Sequence, residues 1–250
     1  MRTDGPVPLP GPAGVTAAAV FRPVRSGNAF EETVERLLQA IKLGVLDHGD
    51  RLPPERELAP LLGIGRVTLR EAIHALQEEG YVESRRGRAG GTFVTYRRPR
   101  PRPADLRRAV EDMGDRLADT LTYRMAVETG AAQVLAGLSL TSDQRTLLRT
   151  RLAELNAAGP DDYRRLDTVF HLTIAELTGS RLLAETCADA RLRVTDLLNA
   201  IPLFRANIAH AATQHAAILD AILLGDPEAA RKAVTEHLEA TASLLRGFLT

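Results

Sequence analysis

Four side chains in the second half of this sequence have the types and spacing to hold a metal ion, provided the chain brings them together. Asp167 and His171 are four residues apart, so on one helix they face the same way. His215 and His237 stand ten residues before and ten after the turn signal Gly225-Asp226-Pro227. An antiparallel helix pair around that turn descends roughly 15 Å and returns the same distance at ~1.5 Å per residue, which sets both imidazoles at one level. Three imidazoles and one carboxylate on inward faces suit a borderline divalent cation, zinc first, with nickel or manganese as the other choices. The same residues serve equally well as hydrogen-bonded core or surface groups, so spacing alone leaves both uses open. His210 is five residues from His215, roughly 140° around a helix, and falls outside the set.

The elements that must carry these residues are helical. Periodicity predicts helices at about 104–138, 142–157, 161–178, 180–200, 205–224 and 227–249, broken at Ser139 to Ser142, Gly159-Pro160, Thr178-Gly179-Ser180, Ile201-Pro202 and Gly225-Asp226-Pro227. No strand pattern interrupts them, so this part is expected to be an antiparallel all-helical bundle. Ahead of it the run RRPRPRP at 97–103 can hold neither helix nor central strand and reads as a linker. The Pro-, Gly- and Ala-rich start reads as a flexible tail. The expected layout is a tail at 1–25, a first domain at 26–96, a linker at 97–104 and a helical domain at 105–250.

The first domain holds the most specific local pattern. From Leu52 to Val94 the chain reads as helix, tight turn, helix and a basic glycine-rich hairpin. Pro54 suits a first helical position, with Glu55 and Glu57 at the positive end of the dipole and Leu58, Leu61 and Leu62 as the apolar stripe. Gly63-Ile64-Gly65 breaks the helix, and Arg66 resumes it with Val67, Leu69 or Ile73, and Leu76 expected to point inward until Gly80. Arg66, Thr68 and Arg70 crowd the opening turns of this second helix, where a recognition helix meets base edges in the major groove. Arginine engages guanine bidentately there, and threonine touches a thymine methyl. Tyr81 to Ser84 and Thr92 to Val94 are β-prone and flank a basic tip, which makes a wing. Between Ser84 and Arg102 there are seven arginines and no acidic residue, a composition that neutralises phosphates. His48 and His74 fall in this domain.

Composition agrees with two soluble parts. Residues 1–103 hold 16 Lys+Arg against 12 Asp+Glu, and the remaining 147 hold 16 against 20, so overall neutrality covers a basic part and an acidic one. The single cysteine, Cys187, excludes an intramolecular disulfide, a thiolate zinc finger and a redox pair, which points to a reducing, cytoplasmic setting. No run of about eighteen apolar residues marks a membrane span. A hydrolytic metalloenzyme is the alternative use of such a metal site, yet the chain has no H-E-x-x-H, nucleophile elbow or phosphate loop.

The segment from about Ala29 to Val94 resembles the winged helix-turn-helix of GntR-type transcription regulators. The resemblance rests on Gly44-x-Leu46, the run LPPERELA, Gly65-Arg-x-Thr-Leu-Arg-Glu-Ala-Ile73, and Leu76-x-x-Glu-Gly-Tyr-Val82. It implies DNA contacts from Arg56, Arg66, Thr68 and Arg70, with Arg86 and Gly87 at the wing. Pro54 and Gly65 stand where that family expects serine or threonine caps, and both are acceptable helix starts. The region from about Leu117 to Thr250 resembles the FCD ligand-binding domain of the FadR branch. It carries Arg124-x-x-x-Glu128, Asp167-x-x-Phe-His171, His215-x-x-Ile-Leu-x-Ala-Ile-x-x-Gly-Asp226 and His237-Leu238. That resemblance implies Asp167, His171, His215 and His237 as ligands of a divalent metal, and Arg124 as a partner for an effector's carboxylate. Gln214 replaces a frequent acid and Ser180 a frequent asparagine, and neither change removes a ligand. The function implied is a homodimeric transcription factor, a repressor, that binds an inverted-repeat operator in double-stranded DNA and responds to a small organic acid. Keeping the regulator but with the histidines lining a metal-free organic pocket is the remaining alternative.

Overall fold

The computed structural model describes residues 20–21, 29–87, 90–97, 116–200, 203 and 205–249. The remainder of the expected tail, the linker after Arg97, wing residues 88–89 and the opening of the helix expected from 104 lie outside the described residues. The chain divides into two compact units between Arg98 and Pro99.

The first unit contains α1 (Ala29–Lys42), α2 (Glu55–Leu62), α3 (Arg66–Glu78), β1 (Val82–Arg85) and β2 (Gly91–Val94). Helix α1, an element beyond those expected although Phe30, Val34, Leu37, Leu38 and Ile41 repeat at helical spacing, packs against α3 and buries Leu37, Ala40 and Ile41. Helix α2 begins one residue later than expected. Pro54 stays extended at φ −53° and ψ 141°, and its carbonyl accepts from the amides of Glu57 and Leu58, so it acts as the cap. Gly63 ends α2 in the left-handed region at φ 66°, a conformation that only glycine adopts freely.

Helix α3 corrects one expectation. Leu69, Ala72, Ile73 and Leu76 form its buried face, whereas Val67 is 69% exposed. At 3.6 residues per turn the four buried positions share one arc and Val67 lies almost opposite, so helical phase overrides the apolarity of a single side chain.

The wing is an antiparallel pair in the register Val82↔Val94, Glu83↔Phe93, Ser84↔Thr92 and Arg85↔Gly91. Its base is anchored by buried Val82 and Val94, and the Leu52 amide donates to the Thr92 carbonyl at 2.8 Å, so the segment before α2 lines the outer side of β2. Arg85 lies over the Phe93 ring at 4.5 Å and pairs with Glu83 at 2.7 Å. Gly87 turns the tip at φ 104°, again a glycine conformation.

The second unit is all helical among the described residues, with α4 (Arg116–Ala136), α5 (Ser142–Asn156), α6 (Tyr163–Leu177), α7 (Arg181–Ala200), α8 (Arg205–Leu224) and α9 (Pro227–Leu249). The expected mainly α fold, a winged helix-turn-helix followed by a helical bundle, is what the chain adopts. A capping box starts α5, with Thr141 and Gln144 exchanging side-chain to backbone hydrogen bonds. The turn between α8 and α9 follows directly from three residues. Gly225 takes φ 74°, the Asp226 carboxylate accepts from the amides of Glu228 and Ala229, and Pro227 opens the next helix. Helix α4 runs against α6, α7, α8 and α9. Leu135, Leu148, Phe170, Ile174, Ile218, Ile222, Val234 and Leu238 form the core between them.

Candidate metal centre and nucleic-acid interface

Each metal-ligand candidate sits on an apolar stripe at helical spacing. On α6, Asp167 and His171 share the face of Phe170 and Ile174; on α8, His215 precedes Ile218 and Ile222; on α9, His237 follows Val234. Burying those stripes therefore drives the polar groups together. One donor atom from each of Asp167, His171, His215 and His237 lies within 4.8 Å of the others. His171 Nε2 is 3.3 Å from His215 Nε2, and Asp167 Oδ1 is 3.1 Å from His215 Nε2 and 3.9 Å from His171 Nε2. The His171 and His237 rings stack with centroids 5.1 Å apart, and the His215 and His237 centroids are 4.4 Å apart.

Proton positions follow from the outer partners. His171 Nδ1 is 2.9 Å from Glu128 Oε2, and an ionised carboxylate only accepts, so Nδ1 carries the hydrogen and Nε2 turns a lone pair toward His215. His237 Nδ1 donates to Gln214 Oε1 at 3.1 Å. Gln214 in turn lies 3.2 Å from His210 Nε2. Burial, with Arg191 adding to it, pushes His171 down to about 4 against the pull of Glu128 and Asp167. Burial and the neighbouring His215 and His171 hold His237 well below the usual imidazole range. These two imidazoles are neutral at pH 7, the form that ligates.

Burial alone would raise the two carboxylates, but their cationic neighbours win. Arg124 and Arg191, together with the His171 hydrogen bond, hold Glu128 well below its ordinary range, and Arg191 with the His215 hydrogen bond does the same for Asp167. Arg191 bridges the two acids, bonding Glu128 at 2.8 Å and also Asp167, while Arg124 Nε bonds Glu128 at 2.7 Å. The buried charges cancel, with two arginines against two carboxylates.

This donor set fits a borderline divalent ion. Ligand bonds of about 2.0–2.2 Å put tetrahedral donors about 3.4 Å apart, close to the 3.1 and 3.3 Å separations here. The buried Nδ1 of His215 has no hydrogen-bond partner among the described residues, so His215 is free to carry its proton there and turn Nε2 inward as a lone pair.

Two members of this cluster received no role in the sequence reading. Glu128 lay inside a quoted motif, four residues after Arg124. Arg191 left one signal, a charged residue on the buried stripe of α7 beside Ala184, Cys187, Ala188 and Val194. Arg124 itself is buried and its Nε is already committed to Glu128.

The sequence-predicted DNA contacts lie in the first unit. Arg66 and Arg70 are exposed on α3 and Thr68 is half-buried. Arg56, on α2, has a side chain 73% exposed and pairs with Glu57 at 3.2 Å. Arg70 Nε bonds Glu55 Oε2 at 2.7 Å, tying α3 to the first residue of α2. Exposed pairs of this kind contribute about 0–1 kcal/mol, so both arginines exchange easily for a phosphate or a base edge. Arg86 is exposed at the wing tip with no polar partner among the described residues, directly before Gly87.

Residues 30–94 match the bacterial regulatory proteins of the gntR family, and residues 119–240 match the FCD domain. A Mycobacterium gastri protein named as the HTH-type transcriptional regulator RmpR is 32% identical over 233 residues, spanning 88% of this chain and 81% of its own. The chain belongs to the GntR family. This GntR regulator is also 31% identical over 226 residues to an Escherichia coli protein named as the L-lactate dehydrogenase operon regulatory protein, covering 87% and 86% of the two chains. With the HTH-type transcriptional repressor NanR of Salmonella arizonae it shares 27% identity over 248 residues, 91% and 88% of the respective chains. Its fold is like that of Escherichia coli McbR/YncC, with a TM-score of 0.53 at 19% identity over 88% and 97% of the two chains. As a GntR protein with an FCD domain it is a transcription regulator and not an enzyme. GntR regulators bind operator DNA and commonly act as dimers. Among the described residues no helix is long and apolar enough to cross a membrane.

Proposed function

We propose that this GntR regulator is a cytoplasmic, homodimeric repressor whose grip on an inverted-repeat operator is set by a small organic acid bound at a divalent-metal site in the helical domain. The observation that carries this reading is the convergence of Asp167, His171, His215 and His237 in a buried pocket where Arg124 and Arg191 balance Glu128 and Asp167. A divalent ion, zinc foremost, adds two positive charges there and supplies a Lewis-acid anchor for an anion. A carboxylate-bearing effector offsets one of those charges, with Arg124 as its second cation. The names of two relatives, one regulating an L-lactate dehydrogenase operon and one a repressor, support the effector class and the direction of control.

In this reading residues 26–96 are the DNA-reading head, 97–104 the linker and 105–250 the effector-binding and dimerisation domain. Arg56, Arg66, Thr68 and Arg70 meet one operator half-site in the major groove while Arg86 and Gly87 bring the wing to the flanking backbone. Two-fold symmetry of the dimer matches the inverted repeat. The effector must bind one arrangement of the two heads better than the other, because equal affinity for both shifts nothing.

Arg70→Ala is expected to weaken specific operator binding by ~1–3 kcal/mol, about fivefold to two-hundredfold. Unchanged operator affinity in a gel shift at fixed salt contradicts the assignment. Arg86→Ala is expected to weaken specific and random DNA alike and to lower the slope of log K against log salt by about 1. Elemental analysis of protein purified without a histidine tag decides between the metal site and a metal-free pocket, which would return less than one bound ion per chain.

A further inference from the structure

We propose that Val67 reads the 5-methyl group of a thymine in each operator half-site. The inference rests on the DNA-reading function proposed above. With Arg66 set at 0°, steps of ~100° per residue place Arg70 near 40°, Val67 near 100° and Thr68 near 200°, with Leu69, Ala72, Ile73 and Leu76 between about 240° and 340°. Those last four are the buried face of α3, and Val67 is diametrically opposite their midpoint. It therefore occupies the crest of the outward surface, on the first turn, with an arginine flank on one side and, on the other, Glu71 at about 140° one turn on and then Thr68. In a recognition helix that crest points at the floor of the major groove.

Chemistry narrows what a valine can meet there. Its isopropyl group neither donates nor accepts, so it serves no phosphate and no polar base edge. The apolar feature that the major groove displays is the thymine methyl. Nothing inside the unit relieves the exposure of this side chain, at 69%, and a β-branched residue in a solvent-facing helical turn is a worse helix former than alanine. Its neighbours on the helix, Arg66, Thr68, Arg70 and Glu71, are charged or polar and Ile64 before it is half-buried, so the fully exposed apolar spot is one side chain wide. That is far below the area a protein partner requires and about the size of a methyl contact.

The test uses deoxyuridine, which deletes the 5-methyl group of dT and leaves every hydrogen-bonding atom in place. The full-length protein first selects its operator from random duplex DNA, and each dT of both half-sites is then replaced by dU in turn. Dissociation constants are measured by fluorescence anisotropy at fixed salt for the native protein and for Val67→Ala. The expected result is one dT position per half-site at which dU weakens native binding about fourfold, the effect of one lost methyl contact. At that position Val67→Ala binds the dT and dU operators equally, with an affinity matching that of the native protein for the dU operator. Substitution effects that are the same for both proteins at every position overturn the proposal and leave the regulator function standing, as does a selected half-site without dT. A selection that returns no sequence above random competitor overturns both. Because Val67 is exposed, alanine there preserves the fold, and an unchanged circular dichroism melt verifies it.

Discussion

His215→Ala is expected to lower the affinity of the helical domain for zinc by more than about a hundredfold. Even outer partners of a metal ligand are worth 10–100-fold when lost, and His215 is a fully buried member of the donor cluster, with Nε2 within 3.3 Å of both His171 and Asp167 donor atoms. Ion binding to the folded state shifts stability by RT ln(1 + [M]/Kd). At a free ion concentration one hundred times the native Kd, that is about 2.7 kcal/mol for the native protein and about 0.4 kcal/mol for a variant weakened a hundredfold. Thermal melts in chelator-buffered zinc read this difference as several degrees gained by the native protein and almost none by His215→Ala. His74→Ala, exposed in the first unit and outside the donor set, is the control and keeps the native response. An undiminished zinc shift in His215→Ala contradicts the assignment of the four ligands.

The second large effect concerns stability without any ion. Glu128 is enclosed with Arg124 and Arg191 bonded to its two oxygens and His171 donating to one of them. Glu128→Ala deprives the buried Arg124 guanidinium of its carboxylate and leaves Arg191 with Asp167 alone, and breaking a buried ion pair in this way costs about 3–5 kcal/mol. For a unit of this size each kcal/mol moves the midpoint by about 2–4 °C, so the melt of the helical domain is expected to fall by roughly 6–20 °C. Chelator is present throughout, which removes any contribution from bound metal. Glu128→Gln keeps the shape and one acceptor and falls between the two. Combining Glu128→Gln with Arg124→Met removes one charge of each sign and recovers part of the loss. A loss below about 1 kcal/mol in Glu128→Ala shows that water, and not the arginines, is the partner that matters there.

The pattern of success and failure in reading this fold from sequence has physical causes. The four clustered side chains were legible because helices convert spacing into direction. Asp167 and His171 share a face by their separation alone, and His215 and His237 share a level because a glycine, an aspartate and a proline fix where α8 ends and α9 begins. Glu128 and Arg191 stand on α4 and α7, and no local periodicity tells which distant helix will present a partner to His171 or Asp167. Arg191 was visible only as a charge on an apolar stripe. Val67 was misplaced because apolar character was allowed to outweigh rotational phase, although Leu69, Ala72, Ile73 and Leu76 already define the buried arc. Helix α1 carries the same kind of signal, with Phe30, Val34, Leu37, Leu38 and Ile41 at helical spacing, Glu31 and Glu32 in its first turn and Gly44 at φ 74° after its end.

The bridge that Arg191 makes between Glu128 and Asp167 has a consequence for how the protein is born. Two guanidinium groups and two carboxylates balance one another there, beside a core of leucine, isoleucine and phenylalanine side chains. On the proposed metal reading the helical domain is therefore expected to fold without the ion, unlike small zinc modules that stay unstructured until loaded, and equal far-UV circular dichroism with and without chelator checks this. On the metal reading proposed above, ion binding would be a late, reversible event laid over a folded scaffold, and the free ion level a second input alongside the proposed effector.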